Sequence, residues 1–389
     1  MRRKNISKVC AVASLIVGLL SFSDCSHESD SIEPVKTDSV QQTMLMFFPY
    51  VPDLYDYFQI NIEELEQGII TSGSMNNTNV FVYICQKNDA SKACIYQIKY
   101  NKGKCEHDTL QTYTSPDYTS VSGLRSIFNY VHSISKSNIY SVIAGCHGNG
   151  WLPKGTSPQY RSFGGSTKDK QIDIADFADA ITSSDIKKLD YLMFDDCYMA
   201  NIETAYELRK ATNYIVASTS EVMSAGNPYS TEWNGLSGSP DLAEVCQAFY
   251  KFYSTYSYPY GTLSMIDCAA TDSMANLMNQ INRSYTIDEK YRDSIQVLDG
   301  FRTPVYFDLQ DYVNHMHLST DLQERFNKAL ANLVTYTVCT PYIYSQFKIG
   351  NLIEVNHSCG ITISDISENS AVTQYIQSTS WWTATHNEQ

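Results

Sequence analysis

Apolar residues follow two different spacings along the chain, and each spacing predicts a different type of secondary structure. Short apolar runs predict buried strands, whereas apolar residues three or four positions apart predict helices. The predicted strands span residues 43–48, 79–85, 93–100, 189–194, 214–218, 261–266 and 359–364. The predicted helices span residues 61–70, 120–134, 172–181, 198–208, 242–253, 273–281, 308–313 and 322–334. Strands that alternate with helices in this way indicate an α/β fold with a mostly parallel sheet.

Three long segments lack either spacing, and we predict loops there. They span residues 101–118, 151–170 and 220–238. The second is rich in Gly, Pro and Ser, and a loop of that length inside a compact domain is usually functional or mobile. Beyond about residue 270 the pattern is less regular, which predicts a helical and strand addition packed on the core.

The N-terminal residues have the pattern of an export signal. A basic start precedes an apolar stretch, 9–22, that is too short to span a bilayer. Cys25 follows in the order Phe-Ser-Asp-Cys, which resembles a bacterial lipoprotein signal, although Asp24 stands where such signals carry a small residue. We therefore expect lipidation at Cys25 and a surface or outer-membrane location, with plain secretion or a periplasmic location as the alternative. The expected parts are a signal peptide, a flexible tether, a folded core and a C-terminal addition, at residues 1–25, 26–42, 43–270 and 271–389.

Composition and charge exclude some classes of partner. The net charge is −14 and the isoelectric point is about 5.0, which argues against binding to nucleic acid or to an anionic membrane surface. The only membrane contact expected is the N-terminal lipid anchor. The 11 cysteines include no pair with CxxC spacing and no Cys/His cluster with zinc spacing, so we expect no metal site of that kind.

Two predicted strands each end in a residue that can take part in nucleophilic catalysis. Cys197 follows the strand 189–194, and His147 lies in a glycine-rich turn after a strand that starts at Ile139. In an α/β sheet, ligands bind beyond the carboxyl ends of the strands. If the strands are neighbours, the two side chains form a Cys-His dyad. Cys197 also precedes the predicted helix 198–208, whose dipole would lower its pKa.

A cysteine nucleophile also requires donors for the oxyanion and a pocket for the substrate. The backbone N–H groups of Gly148 and Cys197 are the expected oxyanion donors. Alternation along a strand places Asp195 on the same face as Cys197 and Asp196 on the other. Asp195 is therefore the carboxylate that could bind a basic side chain of a substrate, and Asp196 is expected to be structural, bonding backbone N–H groups near the helix start.

The two motifs together resemble those of the clostripain family of cysteine peptidases. The segment Asp-Asp-Cys-Tyr-Met-Ala at 195–200 is similar to that family's nucleophile region, and His-Gly-Asn-Gly-Trp at 147–151 is similar to its histidine motif. Weaker similarity extends over most of residues 43–365. The resemblance implies a caspase-like α/β/α sandwich and an endopeptidase that cleaves peptide or protein substrates after Arg or Lys, with His147 and Cys197 as the dyad and Asp195 in the pocket.

The resemblance also implies two properties that the residues alone do not assign. Members of the family cut themselves at a basic position between the catalytic residues. The candidates here are Lys154, Arg161, Lys168 and Lys170. Some members depend on calcium, but no EF-hand spacing or compact acidic loop assigns a site, so we expect no cofactor whose site can be named.

One segment departs from the family pattern, and other functions remain open. Where the family carries paired acids, the chain reads Thr-Ser-Glu at 219–221, and Asn227 replaces an aromatic residue, so Glu221 could substitute for a shifted acid. The departure affects how strictly the pocket would prefer Arg or Lys, because this segment helps to shape the pocket in the family. A non-catalytic, surface-anchored binding protein on the same scaffold is one alternative function, and an acyltransferase that uses the same acyl-enzyme is another.

Overall fold

The computed structural model describes residues 40–156, 163–165, 167–257 and 259–387. It contains thirteen strands within these ranges. The strands are β1 (Val40–Phe48), β2 (Thr78–Gln86), β3 (Asp89–Asn101), β4 (Lys104–Thr114), β5 (Ser137–Ala144), β6 (Leu189–Phe194), β7 (Thr212–Ala217), β8 (Thr262–Asp267), β9 (Phe307–Asp308), β10 (Val334–Cys339), β11 (Tyr342–Tyr344), β12 (Leu352–Glu354) and β13 (Thr362–Ile363).

Eleven α-helices lie between and after the strands in the same described ranges. They are α1 (Tyr55–Ser72), α2 (Val121–Ile134), α3 (Ile174–Ser183), α4 (Ile202–Leu208), α5 (Tyr229–Leu236), α6 (Leu242–Tyr253), α7 (Thr271–Asn282), α8 (Leu309–Asn314), α9 (Thr320–Leu333), α10 (Ser370–Tyr375) and α11 (Ser380–His386). Helices α1, α5 and α6 pack together, as do α2, α3, α4 and α7, so two groups of helices flank the sheet.

Nine strands form one central sheet in the order β10-β8-β7-β6-β5-β1-β2-β3-β4. Its five middle strands, β7, β6, β5, β1 and β2, run parallel. The outer strands pair antiparallel with their neighbours. The carboxyl ends of the parallel strands therefore meet at one edge, where ligands bind in folds of this type.

The parallel strands are buried because their residues are almost continuously apolar. Met44 to Phe48 in β1 and Tyr191 to Phe194 in β6 are 2% exposed or less. Such runs are typical of parallel strands that are covered by helices on both faces. The α/β/α arrangement predicted from the sequence is the one observed.

Several predicted boundaries and loops are wrong in detail. The predicted loop 101–118 contains β4, and the predicted loop 220–238 contains α5. The first strand begins at Val40, inside the predicted tether. A strand after α9, β10, was not predicted and extends the central sheet. The C-terminal part thus completes the sheet as well as covering it.

The described residues from Val40 onward form one compact unit. The predicted signal peptide, the predicted tether up to residue 39 and Cys25 lie outside the described residues. Among the described helices, none combines the length and the apolar character needed to cross a bilayer.

Candidate active site

The sheet brings His147 and Cys197 to the same edge, each at the same distance in sequence beyond the end of its strand. Strands β5 and β6 are parallel neighbours, and Ala144 pairs with Phe194 in register. His147 lies three residues beyond Ala144, and Cys197 lies three residues beyond Phe194. The two side chains line one cavity of about 180 Å³. The carboxyl ends of two adjacent strands thus supply both members of the candidate dyad.

The cavity has walls from several elements of the fold. Its lining residues are Leu54, Tyr57, Phe58, Asn61, Gly145, Cys146, His147, Asp195, Asp196, Cys197, Glu221, Val222, Met223, Ser224, Gly226, Tyr344 and Gln346. These come from α1, from the turns after β5 and β6, from the segment after β7 and from the β11–β12 hairpin. Carboxylates reach it from Asp195, Asp196 and Glu221, so the cavity is acidic.

Asp53 bonds to the imidazole of His147, which the sequence analysis did not foresee. The His147 Nε2 atom lies 3.1 Å from Asp53 Oδ2, and the imidazole is nearly buried, whereas the carboxylate is 44% exposed. Asp53 follows β1, the parallel neighbour of β5, so its position at the carboxyl edge is a signal that the sequence contained. A carboxylate at this distance fixes the orientation of the imidazole ring.

The turn that presents Cys197 is fixed by unusual backbone geometry. Tyr198 has a φ of 62°, which is in the left-handed region, and its ring stacks on Tyr306 with centroids 5.0 Å apart. The Tyr306 hydroxyl donates to the Asn149 carbonyl, 2.7 Å away. Tyr306, from the C-terminal part, therefore contacts both the turn that carries Cys197 and the turn that carries His147.

The predicted helix dipole does not act on Cys197, because α4 begins only at Ile202. Asn201 caps that helix and accepts from the Thr204 N–H. Burial, followed by the charge of Glu221, raises the pKa of the Cys197 thiol to about 12, although the Val222 N–H, 3.3 Å from the sulfur, opposes this. The prediction that the helix dipole lowers the pKa of Cys197 is therefore wrong. With this pKa the thiol is protonated at neutral pH.

The two expected oxyanion donors lie against each other. A Cβ atom on Gly148 would come within 2.4 Å of the Cys197 carbonyl oxygen and 2.9 Å of the Cys197 nitrogen, so only glycine fits at this position. Within the described ranges, neither of these two N–H groups has a hydrogen-bond acceptor. Both donors can therefore serve an oxygen that develops charge next to the sulfur.

Asp195 lies on the pocket side of the strand end and is held by three donors. Its carboxylate accepts from the Asn227 backbone N–H (3.2 Å), the Asn227 side-chain amide (2.9 Å) and the Tyr229 hydroxyl (2.8 Å). Burial raises its pKa, and these three bonds oppose the increase. Asn227, the residue that departs from the family pattern, thus orients the carboxylate that the same pattern assigns to the pocket.

The other two acids of the cavity hold the turns together. Asp196 is buried, and its carboxylate accepts from the Cys146 backbone N–H, so it links the two turns and does not bond the helix start as expected. Glu221 accepts from the hydroxyls of Tyr198 (2.7 Å) and Ser345 (2.6 Å) and from the Gln346 N–H (3.1 Å). Glu221 therefore connects the nucleophile turn to the β11–β12 hairpin.

The basic residues of the segment 151–170 differ in their surroundings. Lys154 Nζ lies 3.3 Å from both Asp173 and Asp176. Lys168 and Lys170 lie in a short 3-10 helix, and Lys170 pairs with Asp169 at 3.3 Å. Arg161 lies outside the described residues.

No metal site is evident within the part of the chain that the structure describes. There, no group of three or more His, Cys, Asp or Glu side chains is arranged so that it could bind a metal ion. The nine described cysteines are all free thiols.

Comparisons with known proteins agree with this geometry. The clostripain family model matches residues 51–384. The structure of a secreted C11 cysteine protease from Bacteroides thetaiotaomicron, iotapain, is 38% identical, with 90% of this chain and 99% of that chain covered and a TM-score of 0.84. A clostripain from the same species, in complex with the peptide inhibitor BTN-VLTK-AOMK, is 41% identical over 58% of this chain and 100% of that chain, with a TM-score of 0.56.

A third structure supports the fold alone. An inactive zymogen C11 protease from Parabacteroides distasonis is 23% identical, with 90% of this chain and 99% of that chain covered and a TM-score of 0.78. No curated protein sequence matches the chain. The family match covers most of the sequence, and the fold and the acidic cavity agree with it. The chain is a cysteine peptidase that belongs to the clostripain family and has its caspase-like fold.

Proposed function

We propose that the protein is an endopeptidase that cleaves after Lys or Arg by means of a His147/Cys197 dyad. The observation that carries this proposal is the cavity in which both residues lie together with the carboxylate of Asp195. A thiol, an imidazole and a carboxylate around one cavity provide the nucleophile, the proton carrier and the partner for a cationic side chain.

The reaction begins with a protonated thiol. His147 accepts the proton of Cys197 while the sulfur attacks the scissile carbonyl carbon, and the N–H groups of Gly148 and Cys197 donate to the oxyanion. The tetrahedral intermediate collapses, the C–N bond breaks, and His147 gives its proton to the leaving amine. A water molecule then loses a proton to His147, attacks the thioester, and releases the carboxylic acid and the thiol.

Specificity for a basic residue would come from Asp195. Its carboxylate lines the cavity that contains Cys197, and three donors fix its orientation. The 41% identical clostripain was bound to a peptide inhibitor whose peptide letters, VLTK, end in Lys. Both observations support a substrate with Lys or Arg immediately before the cut.

A panel of fluorogenic peptides tests this proposal. The peptides differ only in the residue before the cut, which is Lys, Arg, Asp or norleucine, and wild type is compared with Cys197→Ala and His147→Ala. We expect cleavage of the Lys and Arg peptides and a loss of roughly 10⁴-fold or more in both variants, because members of a dyad act as a unit. Cleavage of basic peptides by Cys197→Ala would overturn the dyad, and a preference for Asp or norleucine would overturn the role of Asp195.

We also propose that self-processing takes place at Arg161. Lys154 is held by two carboxylates, and its own backbone N–H donates to Asp173 at 2.8 Å. Lys170 is held by the hydrogen bond from its backbone N–H to the Thr167 carbonyl. Lys168 lies in the same 3-10 helix as Lys170, and its carbonyl accepts from the Gln171 N–H. Arg161 is the remaining candidate, between Lys154 and this helix in the sequence.

Mass spectrometry of the purified protein tests the processing site. We expect two fragments from wild type and from Lys154→Ala, and one intact chain from Arg161→Ala and from Cys197→Ala. A nick that persists in Arg161→Ala would contradict this assignment without affecting the proposed peptidase activity.

Export and lipidation complete the proposal. A relative that is 38% identical is described as secreted, and residues 1–25 carry the export pattern. We propose that Cys25 is lipidated and anchors the protein. Metabolic labelling with palmitate should mark wild type and not Cys25→Ala, and unlabelled wild type in the culture medium would instead indicate plain secretion.

A further inference from the structure

Two further carboxylates, Glu64 and Glu232, interact with Asp195 from behind the lining of the cavity. Glu232, in α5, is 0% exposed, and neither of its carboxylate oxygens has a hydrogen-bond partner among the described residues. Glu64, in α1, has one buried oxygen that also lacks a partner there. We call Asp195, Glu64 and Glu232 the floor acids.

Close packing of α1 against α5 brings these groups together. A Cβ atom on Gly68 would lie 2.7 Å from the Trp233 Cβ and 3.1 Å from the Tyr229 carbonyl oxygen, so the two helices touch at this glycine. Glu64 lies one turn before Gly68; burial and then Asp195 raise its pKa, and the backbone N–H groups at the start of α5 partly oppose that rise. Residues three apart share a helix face, so Glu232 lies on the side of α5 from which Tyr229 bonds to Asp195.

No described cation balances this charge. The other titratable groups that interact with Glu232 are Tyr191, Tyr229, Cys246 and Tyr253, none of which can carry a positive charge. Within the described ranges, no Lys, Arg or His pairs with any floor acid. An unpaired buried carboxylate is costly, so burial favours the protonated form of these acids.

The interaction among the floor acids supports this view. Burial first, and then the charges of Asp195 and Glu64, raise the pKa of Glu232 well above its ordinary value. Burial and Asp195 likewise raise the pKa of Glu64. A positive side chain above Asp195 would favour the ionised form of each acid, so it would displace a proton from the cluster.

We propose that Glu232 is a specificity-determining residue that, with Glu64 and Asp195, couples the entry of a cationic side chain to the release of a proton. This inference rests on the proposed function, because it requires that the pocket receive Lys or Arg. Glu232 acts through the electric field and need not touch the substrate. It deepens the pocket's preference for a cation and makes that preference depend on pH.

The experiment measures selectivity as a function of pH. We compare kcat/KM for two peptides that differ only in Lys or norleucine before the cut, across the range from weakly acidic to weakly alkaline. Because both peptides use the same dyad, their ratio cancels the titration of Cys197 and His147. In wild type the ratio should rise with pH as the floor acids ionise and then level off.

In Glu232→Gln the Lys/norleucine ratio of kcat/KM at high pH, where it levels off, should fall about tenfold. This is the effect expected for the loss of one nearby charge at intermediate dielectric. The midpoint should also move to lower pH, because one of the two carboxylates that interact with Asp195 is removed. Glu203→Gln is the matched control, since Glu203 is another fully buried glutamate with an unpartnered oxygen. It should leave both the ratio and the midpoint unchanged.

The outcomes separate this inference from the function on which it rests. If wild type does not prefer Lys to norleucine, the proposed function itself fails. If wild type prefers Lys and Glu232→Gln has the same ratio and midpoint, only the role of Glu232 is overturned. Turnover of the norleucine peptide reports whether each variant is folded. If Glu232→Gln does not fold, Glu64→Gln, whose side chain is partly exposed, should produce the same downward shift of the midpoint, and an unchanged midpoint would overturn the coupling.

Discussion

Two groups of carboxylates lie near the segment that carries Cys197, and they differ in their access to the cavity. Among the floor acids, Asp195 lines the cavity and interacts with the other two. A second pair, Glu203 and Asp365, which we call the rear acids, interacts mutually and has buried carboxylate oxygens, but neither residue lines that cavity. Both groups consist of carboxylic acids. They differ in whether a positive side chain in the cavity could approach them.

Among the described residues, no Lys, Arg or His forms an ion pair with the rear acids, and the pKa of each is raised. Burial and Asp365 raise the pKa of Glu203 to about 8, and burial raises the pKa of Asp365 to about 7. In the described part of the chain, both Asp365 oxygens and one Glu203 oxygen lack a hydrogen-bond partner. Asp195, in contrast, has three donors. The comparison shows that the three donors to Asp195 oppose the rise in pKa caused by burial, whereas no described residue opposes that rise at Asp365.

The largest expected effect comes from replacing one acid of each group by Asn and comparing kcat/KM for the Lys and norleucine peptides. Asp195→Asn should reduce kcat/KM for the Lys peptide by about 100-fold, because a buried charge pair with the substrate is lost. It should leave the norleucine peptide nearly unchanged. Asp365→Asn should alter neither value. Equal losses for both peptides in Asp195→Asn would mean that the residue supports the fold of the site and does not select the substrate.

A second test removes one of the donors. Tyr229→Phe deletes the hydroxyl that donates to Asp195 and that lowers its pKa. The selectivity for Lys near neutral pH should fall about tenfold. The midpoint of the curve of selectivity against pH should move to higher pH, opposite to the shift expected for Glu232→Gln. A shift in the same direction for both variants would contradict the electrostatic account.

The smallest expected effect concerns stability and the rear acids. A carboxyl whose pKa is higher in the folded than in the unfolded state stabilises the fold at low pH, and that contribution is lost as the pH rises through the folded value. For Glu203 this window runs from about 4, the ordinary value, to about 8. Glu203→Gln should therefore melt about 2 °C above wild type at alkaline pH and show no advantage in acid. Thermal unfolding at several pH values measures this, and a constant difference would argue against titration of Glu203.

The sequence allowed the strands that precede the candidate dyad to be predicted, because their last residues are buried on both faces. The apolar run that ends at Phe194 leaves no ambiguity about where β6 stops, and alternation beyond it placed Asp195 beside Cys197. The strand β4 was missed for the opposite reason. It is an edge strand with mostly exposed side chains, so the polar residues from Lys104 to Thr114 contain no hydrophobic signal.

The remaining parts of the site depend on contacts between distant segments. Nothing local marks Glu232 as a neighbour of Asp195, because the sequence pattern predicts a loop at residues 220–238, and the packing of α5 on α1 and α6 places Tyr229 against Asp195. The helix predicted from residue 198 fails because Tyr198 has a positive φ. Helical spacing of apolar residues cannot reveal a turn that tertiary stacking on Tyr306 supports.

Calorimetry on Cys197→Ala tests the central claim most directly, because this variant binds substrate without turnover. Matched Lys and norleucine peptides are titrated near neutral pH in buffers of different ionisation enthalpy. The account predicts that the Lys peptide binds at least about tenfold more tightly and releases protons that the norleucine peptide does not release. Equal affinities with equal proton release would show that the carboxylates under the pocket do not select a basic side chain.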